Sequence, residues 1–185
     1  MQEINILGIS GSLRSASFNS GLLRAARSLL PEGMYLTIAD IKDIPFYNGD
    51  LEVSQPPESV TLFKQKISEA DGLLIATPEY NYSVPGILKN ALDWVSRPIK
   101  SSPLNDLPTA IMGAGGKFGT ARAQHHLRQI GVSLNLLVFP SPEVMVQNSW
   151  EKFDKEGNLQ DEATQEAIRK LLLAFQHWIT LLKAK

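Results

Sequence analysis

Two loops carry most of the chemistry-bearing side chains of this 185-residue chain. The first is Ser10-Gly11-Ser12-Leu13-Arg14-Ser15-Ala16-Ser17-Phe18-Asn19, rich in hydroxyls and small residues, with one fixed positive charge at Arg14. Backbone N–H groups at a helix start, joined by Ser12, Ser17 and Asn19, can donate to a dianionic terminal phosphate. The bland alternative is that Ser17 or Asn19 caps a helix and the remainder is a turn. The second loop is Thr77-Pro78-Glu79-Tyr80-Asn81-Tyr82-Ser83-Val84-Pro85-Gly86. Its amides, with the side chains of Glu79 and Asn81, offer donors and acceptors for the imide-like edge of a flat heteroaromatic ligand. Tyr80 and Tyr82 offer ring surfaces, or else pack in a core or an interface. A third stretch, Gly113-Ala114-Gly115-Gly116-Lys117-Phe118-Gly119, reads as backbone that approaches something closely.

Several other chemistries fail on residue type or spacing. The first loop lacks the G-x-x-x-x-G-K-[ST] pattern of a Walker loop, and Ser12 replaces the second glycine of a G-x-S-x-G elbow. In the third, Phe118 stands where a dinucleotide fingerprint needs its last glycine. A receiver domain needs acidic residues at the first strand end, where this chain has serines. There is no cysteine, which removes disulfides, thiolate metal sites and cysteine nucleophiles. His125 and His126 are adjacent, about 100° apart on a helix, and so unsuited to one metal. Trp94, Trp150 and Trp178 read as packing residues. With 18 Lys plus Arg against 19 Asp plus Glu, the charge of −1 gives no field for nucleic acid. No run is long and apolar enough to span a membrane, and the first residues lack a basic, apolar leader. The expectation is a cytoplasmic protein with no nucleic-acid or membrane partner.

The elements that must position these loops alternate. Strand patterns at residues 4–9, 34–39, 72–77, 109–113 and 135–139 are interleaved with helical periods at 17–30, 58–70, 84–96 and 119–130. A last helix, residues 161–183, carries an apolar stripe of Ile168, Leu171, Leu172, Phe175, Trp178, Ile179 and Leu182. Pro85 opens the third of the interleaved helices, and residues 140–160 read as a surface loop. Five alternations without a linker predict one α/β domain, a doubly wound parallel sheet with helices on both faces. In the flavodoxin-like order 2-1-3-4-5, strand order reverses between the first and third strands. Ligands bind at the carboxyl ends there, where the first two loops fall.

Taken together, Gly11-Ser12-Leu13-Arg14, Ser17-Phe18-Asn19, Pro78 to Gly86 and Leu88-Lys89-Asn90-Ala91-Leu92-Asp93-Trp94 closely resemble the NADPH-dependent FMN reductase family. Within it the chain looks like the quinone, chromate and azo-dye reductase branch, and the likeness covers nearly the whole chain. The resemblance implies FMN held with its phosphate at Ser12, Leu13, Arg14, Ser15, Ala16, Ser17, Phe18 and Asn19. It implies the isoalloxazine ring at Pro78, Glu79, Tyr80, Asn81 and Tyr82, and a third flavin contact near Gly113. Many relatives have hydroxyl residues at that last position and the next, where this chain has Gly113 and Ala114. The resemblance also implies a homodimer or homotetramer, with Arg122 and Glu143 where some relatives pair between subunits.

The activity so implied is hydride transfer from NADPH or NADH to flavin, then to a quinone, free flavin, azo compound or chromate, in a ping-pong cycle. The flavin carries the chemistry, so no catalytic side chain and no metal is expected. Two rivals remain open: a reductase releasing free reduced flavin, and a flavodoxin-type electron carrier, which the near-neutral charge disfavours. A structural module that has kept only the fold is a third.

Overall fold

The computed structural model describes residues 3–184. The chain runs β1 (Ile4–Ser10), α1 (Phe18–Ser28), β2 (Met34–Ala39), α2 (Gly49–Ser54), α3 (Glu58–Ser68), β3 (Gly72–Ala76) and α4 (Gly86–Val95). It continues through β4 (Pro108–Ala114), α5 (Ala121–Ser133), β5 (Leu137–Val138), β6 (Val144–Val146) and α6 (Glu162–Lys183). The sheet order is β2-β1-β3-β4-β5, and every pairing is parallel.

The period of two along each strand sorts the side chains into two cores. Ile4 and Ile6 of β1, Leu74 and Ala76 of β3, and Ala110 and Met112 of β4 face α1 and α6. Leu7 and Ile9, Leu73 and Ile75, and Ile111 face α3, α4 and α5 on the other side. β3 is buried throughout, as its uninterrupted apolar run requires. Trp94 is fully buried, and its indole N–H donates to the carbonyl of Pro45 at 2.7 Å. The Asn90 amide donates to the same carbonyl and accepts from the Tyr47 N–H, so α4 clamps the loop that follows β2.

Three elements differ from the sequence expectation. A short helix, α2, lies between β2 and α3, in a stretch whose Pro45, Asn48 and Gly49 read in sequence as a loop; it is started by Asn48, whose side chain accepts from the Asp50 N–H. Pro85 opens α4 from its N-cap, and the helix starts at Gly86 instead of at residue 84. The expected fifth strand is reduced to Leu137–Val138, and a sixth, Val144–Val146, lies in the presumed surface loop. β5 pairs with the start of β4 and β6 with its end. They share one edge position, interrupted where Pro140 and Pro142 have no N–H to give a ladder.

Candidate functional site

At the carboxyl edge of β1, Gly11 N–H donates to the carbonyl of Ala76, which locks the first loop to β3. A Cβ on Gly11 would stand 3.1 Å from Pro78 Cδ, so the two long loops touch here and a side chain at this position would press them apart by a few tenths of an ångström. Ser17 caps α1, accepting from the Ser20 N–H at 3.2 Å. Its hydroxyl proton remains available, and the first-turn amides of Phe18 and Asn19 have no partner within the helix. The capping and phosphate readings of Ser17 are therefore compatible.

Asn19 has a different task. Its amide donates to the Ala114 carbonyl and accepts from the Ala114 N–H, both at 2.9 Å, and the residue is buried. Its side chain joins the first loop to β4 through Oδ1 and one of its two amide protons, which leaves the second proton and the backbone N–H for a phosphate. Arg14 is exposed, donates to the Ala16 carbonyl at 2.9 Å, and lies 4.9 Å from the Phe18 ring centroid. Phe18 stacks in turn on Phe153 at 4.8 Å.

The second loop folds back at Tyr80–Ser83, which exchange both backbone hydrogen bonds across a two-residue turn. Asn81 and Tyr82 both have positive φ, 49° and 66°, as a turn of the type I′ kind demands. A tyrosine is a poor occupant of that region, and the surroundings hold it there. The Arg122 guanidinium lies 3.7 Å from the Tyr82 ring centroid and 4.8 Å from that of Phe118. Ser83 Oγ is hydrogen-bonded to His126 Nδ1 at 2.9 Å.

Glu79 departs from the sequence reading. Its side chain, only 8% exposed, accepts from the N–H groups of Arg122 and Ala123 at 3.0 and 3.2 Å. It also forms an ion pair with the Arg122 side chain. The carboxylate thus caps α5 from a different loop and is not free for a ligand's imide edge; the loop amides are what remain. Arg122 and Glu143, expected to pair between subunits, have partners within the chain: Glu79 for the first, Arg128 at 3.2 Å for the second.

Gly113 is not in the cleft. A Cβ there would overlap the Thr77 carbonyl oxygen and the Thr120 hydroxyl, so the position packs under α5. The next residues take its place: Ala114, Gly115 and Gly116 line a cleft of about 260 Å³. Ser12, Arg14, Ser17, Phe18 and Asn19 form one wall, and Pro78, Glu79 and Tyr80 another. Leu13, Ser15, Ala16, Asn81 and Tyr82 lie on the two loops but outside that lining. Ser149 and Trp150 complete the cleft, and sequence reasoning missed both because residues 140–160 showed no periodicity. Of the three tryptophans, Trp94 packs as expected, whereas Trp150 is 60% exposed.

A parallel sheet in this order, with its cleft at the carboxyl ends of β1, β3 and β4, defines a flavodoxin-like protein. Residues 4–151 match the family described as NADPH-dependent FMN reductase, and the chain belongs to that family. It is 49% identical over 182 residues to the NAD(P)H-dependent FMN reductase of Pseudomonas aeruginosa, covering 98% of both chains. It is 48% identical over 189 residues to the NADPH:quinone oxidoreductase of Arabidopsis thaliana, covering 98% of this chain and 95% of that one. Among solved structures, a flavoenzyme NAD(P)H:(acceptor) oxidoreductase from Paracoccus denitrificans superposes with a TM-score of 0.87 at 33% identity. That match covers 96% of this chain and 97% of the other. The protein is an oxidoreductase of the flavin-using class. No helix among the described residues is long and apolar enough to cross a membrane.

Proposed function

We propose that the chain works as a single FMN-binding domain that takes electrons from NAD(P)H and reduces quinones in a ping-pong cycle. The observation that carries this reading is the gathering of both long loops and the end of β4 around one cleft, with Gly11 packed against Pro78 and Asn19 hydrogen-bonded to Ala114. A bipartite ligand with a phosphate at one end and a flat ring at the other fits that frame. The donors suit it: Ser12 and Ser17 hydroxyls, Phe18 and Asn19 amides and the Arg14 charge at one wall, the Pro78–Tyr82 amides at the other. FMN, when bound, supplies the hydride-accepting and hydride-donating ring, so the protein needs no nucleophile or metal.

What the residues do is bind and orient. Glu79 and Arg122 hold the ring-binding loop against α5, and the left-handed turn at Asn81–Tyr82 sets where its amides point. With both ends of the cofactor gripped, a single ring face stays open, and donor and acceptor must occupy it in turn. The quinone is the acceptor we favour, because the Arabidopsis relative is named for it. Azo compounds, chromate and free flavin are further candidates. We propose a cytoplasmic location and a homodimer or homotetramer.

One set of measurements tests the reading. The purified protein should carry stoichiometric FMN, bleach on adding NADPH or NADH, and recolour on adding a soluble benzoquinone. Double-reciprocal plots should be parallel. Intersecting lines, or turnover only with added FMN, would instead indicate a free-flavin reductase. Flavin reduction too slow for turnover would favour an electron carrier.

A further inference from the structure

Trp150 is exposed, yet it is built into place. It lies in a 3-10 turn, Ser149–Glu151, entered through Asn148 at a left-handed φ of 47°. Ser149 donates to the Gly115 carbonyl twice, from its N–H at 3.0 Å and its hydroxyl at 2.8 Å. The Asn148 N–H donates to the Gly116 carbonyl at 3.1 Å. The turn is therefore fastened to the glycine stretch that floors the cleft. The one atom near a Cβ placed on Gly116 is Trp150 Cζ3, at 4.0 Å, so the space between that glycine and the indole is open.

An indole is the largest apolar surface a side chain offers, and leaving it 60% exposed on a fixed turn has no packing rationale. It carries no charge for a phosphate, and its flat face matches a planar ring. Its rigid seat also means little ordering entropy is lost when a ring settles on it. We propose that Trp150 is a ring-stacking residue of this cleft, taking the flat face of a heteroaromatic or quinonoid ligand. The inference rests on the flavin-and-quinone reading above. It adds a residue that the resemblance does not assign to the site. The flat ring has two sources, the flavin itself or the exchangeable acceptor, and the experiment separates them.

Three proteins are compared: wild type, Trp150→Ala and Trp150→Phe. FMN is titrated into each apoprotein, and KM is measured with a naphthoquinone and with ferricyanide, which does not stack. Trp150→Ala should weaken either FMN binding or naphthoquinone KM about tenfold, with Trp150→Phe recovering most of the loss. A changed FMN affinity identifies the ring as flavin. A changed naphthoquinone KM, with FMN affinity and ferricyanide kinetics unchanged, identifies it as acceptor. In the wild-type protein, acrylamide quenching of the exposed tryptophan should fall when the corresponding ligand is bound. The inference is overturned if both constants stay within twofold in Trp150→Ala, or if neither ligand shields the indole. In those cases wild-type FMN binding and turnover would still stand, whereas wild-type protein that binds no FMN would overturn the functional reading itself.

Discussion

The Glu79 carboxylate crosses from the loop after β3 to cap α5 and grip Arg122, joining the ring-binding loop to the helix behind it. One side chain thereby fixes two things, the start of a helix and the position of a binding loop. Glu79→Gln keeps an acceptor for the amides but loses the charge. Glu79→Ala loses both. We expect a graded loss of stability, with Glu79→Ala about 2–3 kcal/mol below wild type and Glu79→Gln between them. Arg122→Ala should cost less, about 1 kcal/mol, because its guanidinium is a third exposed and the backbone cap survives. Urea unfolding gives the order directly. Equal losses for Glu79→Ala and Arg122→Ala would mean that the cap contributes nothing.

Arg14, on the loop after β1, and Asn19, five residues on in the first turn of α1, should fail differently. Arg14 is exposed, so Arg14→Ala should leave the unfolding midpoint near wild type while weakening FMN binding roughly 10- to 150-fold through loss of a charge-assisted contact. An unchanged FMN titration would remove Arg14 from the phosphate site.

Asn19→Ala strands a buried N–H and a buried carbonyl on Ala114. The expected destabilisation is about 2–3 kcal/mol, read from urea unfolding of the apoprotein. If the apoprotein is as stable as wild type and only FMN affinity falls, the amide serves the ligand and not the sheet.

The sheet and its switch point were legible because they rest on periodicity. The apolar runs of β1, β3 and β4, split between the faces by the strand period of two, assign every inward side chain to one core or the other, and the two long loops then fall at the carboxyl ends without further information. What escaped depends on contacts between distant segments. Nothing near Glu79 in sequence shows that its partners are the amides of Arg122 and Ala123. Asn19 reads as a capping or phosphate residue locally, and only the fold brings Ala114 against it. Trp150 follows a strand too short to give a period, placed by prolines that break the edge. Its exposure could not be inferred from its type, because buried packing is the commoner fate of an indole.

Gly113 gives a test of packing rather than of binding. A Cβ at this position would overlap the Thr77 carbonyl oxygen, in backbone that cannot swing away. Gly113→Ser should therefore destabilise the protein by about 2 kcal/mol or more. A hydroxyl there does not reach the cleft, so FMN affinity of the folded fraction should change little. Tighter FMN binding in Gly113→Ser would show that the position faces the ligand after all.

Asp161 should contribute to the acid limb of stability. It caps α6, and its carboxylate accepts from the hydroxyl and the N–H of Thr164. The hydroxyl bond, then the N–H bond, hold its pKa below the usual aspartate value against the opposing effect of partial burial, with Lys152 assisting. A depressed folded pKa means that the charged form is favoured by folding. Its contribution is complete above the unfolded value of about 3.9 and is lost as pH falls through that value toward the lower folded one. The neutral acid still caps, though more weakly, so only part of the roughly 1 kcal/mol of the cap is at stake. Asp161→Asn should lower stability slightly at pH 7 and flatten the decline between about pH 5 and pH 3 relative to wild type. Asp161→Ala should lose about 1 kcal/mol at pH 7 and show the same flattening. Urea midpoints across that pH range read both. Parallel curves for wild type and Asp161→Asn would show that the acid limb comes from other carboxylates, with Asp40 and Asp154, also depressed by backbone hydrogen bonds, next in line.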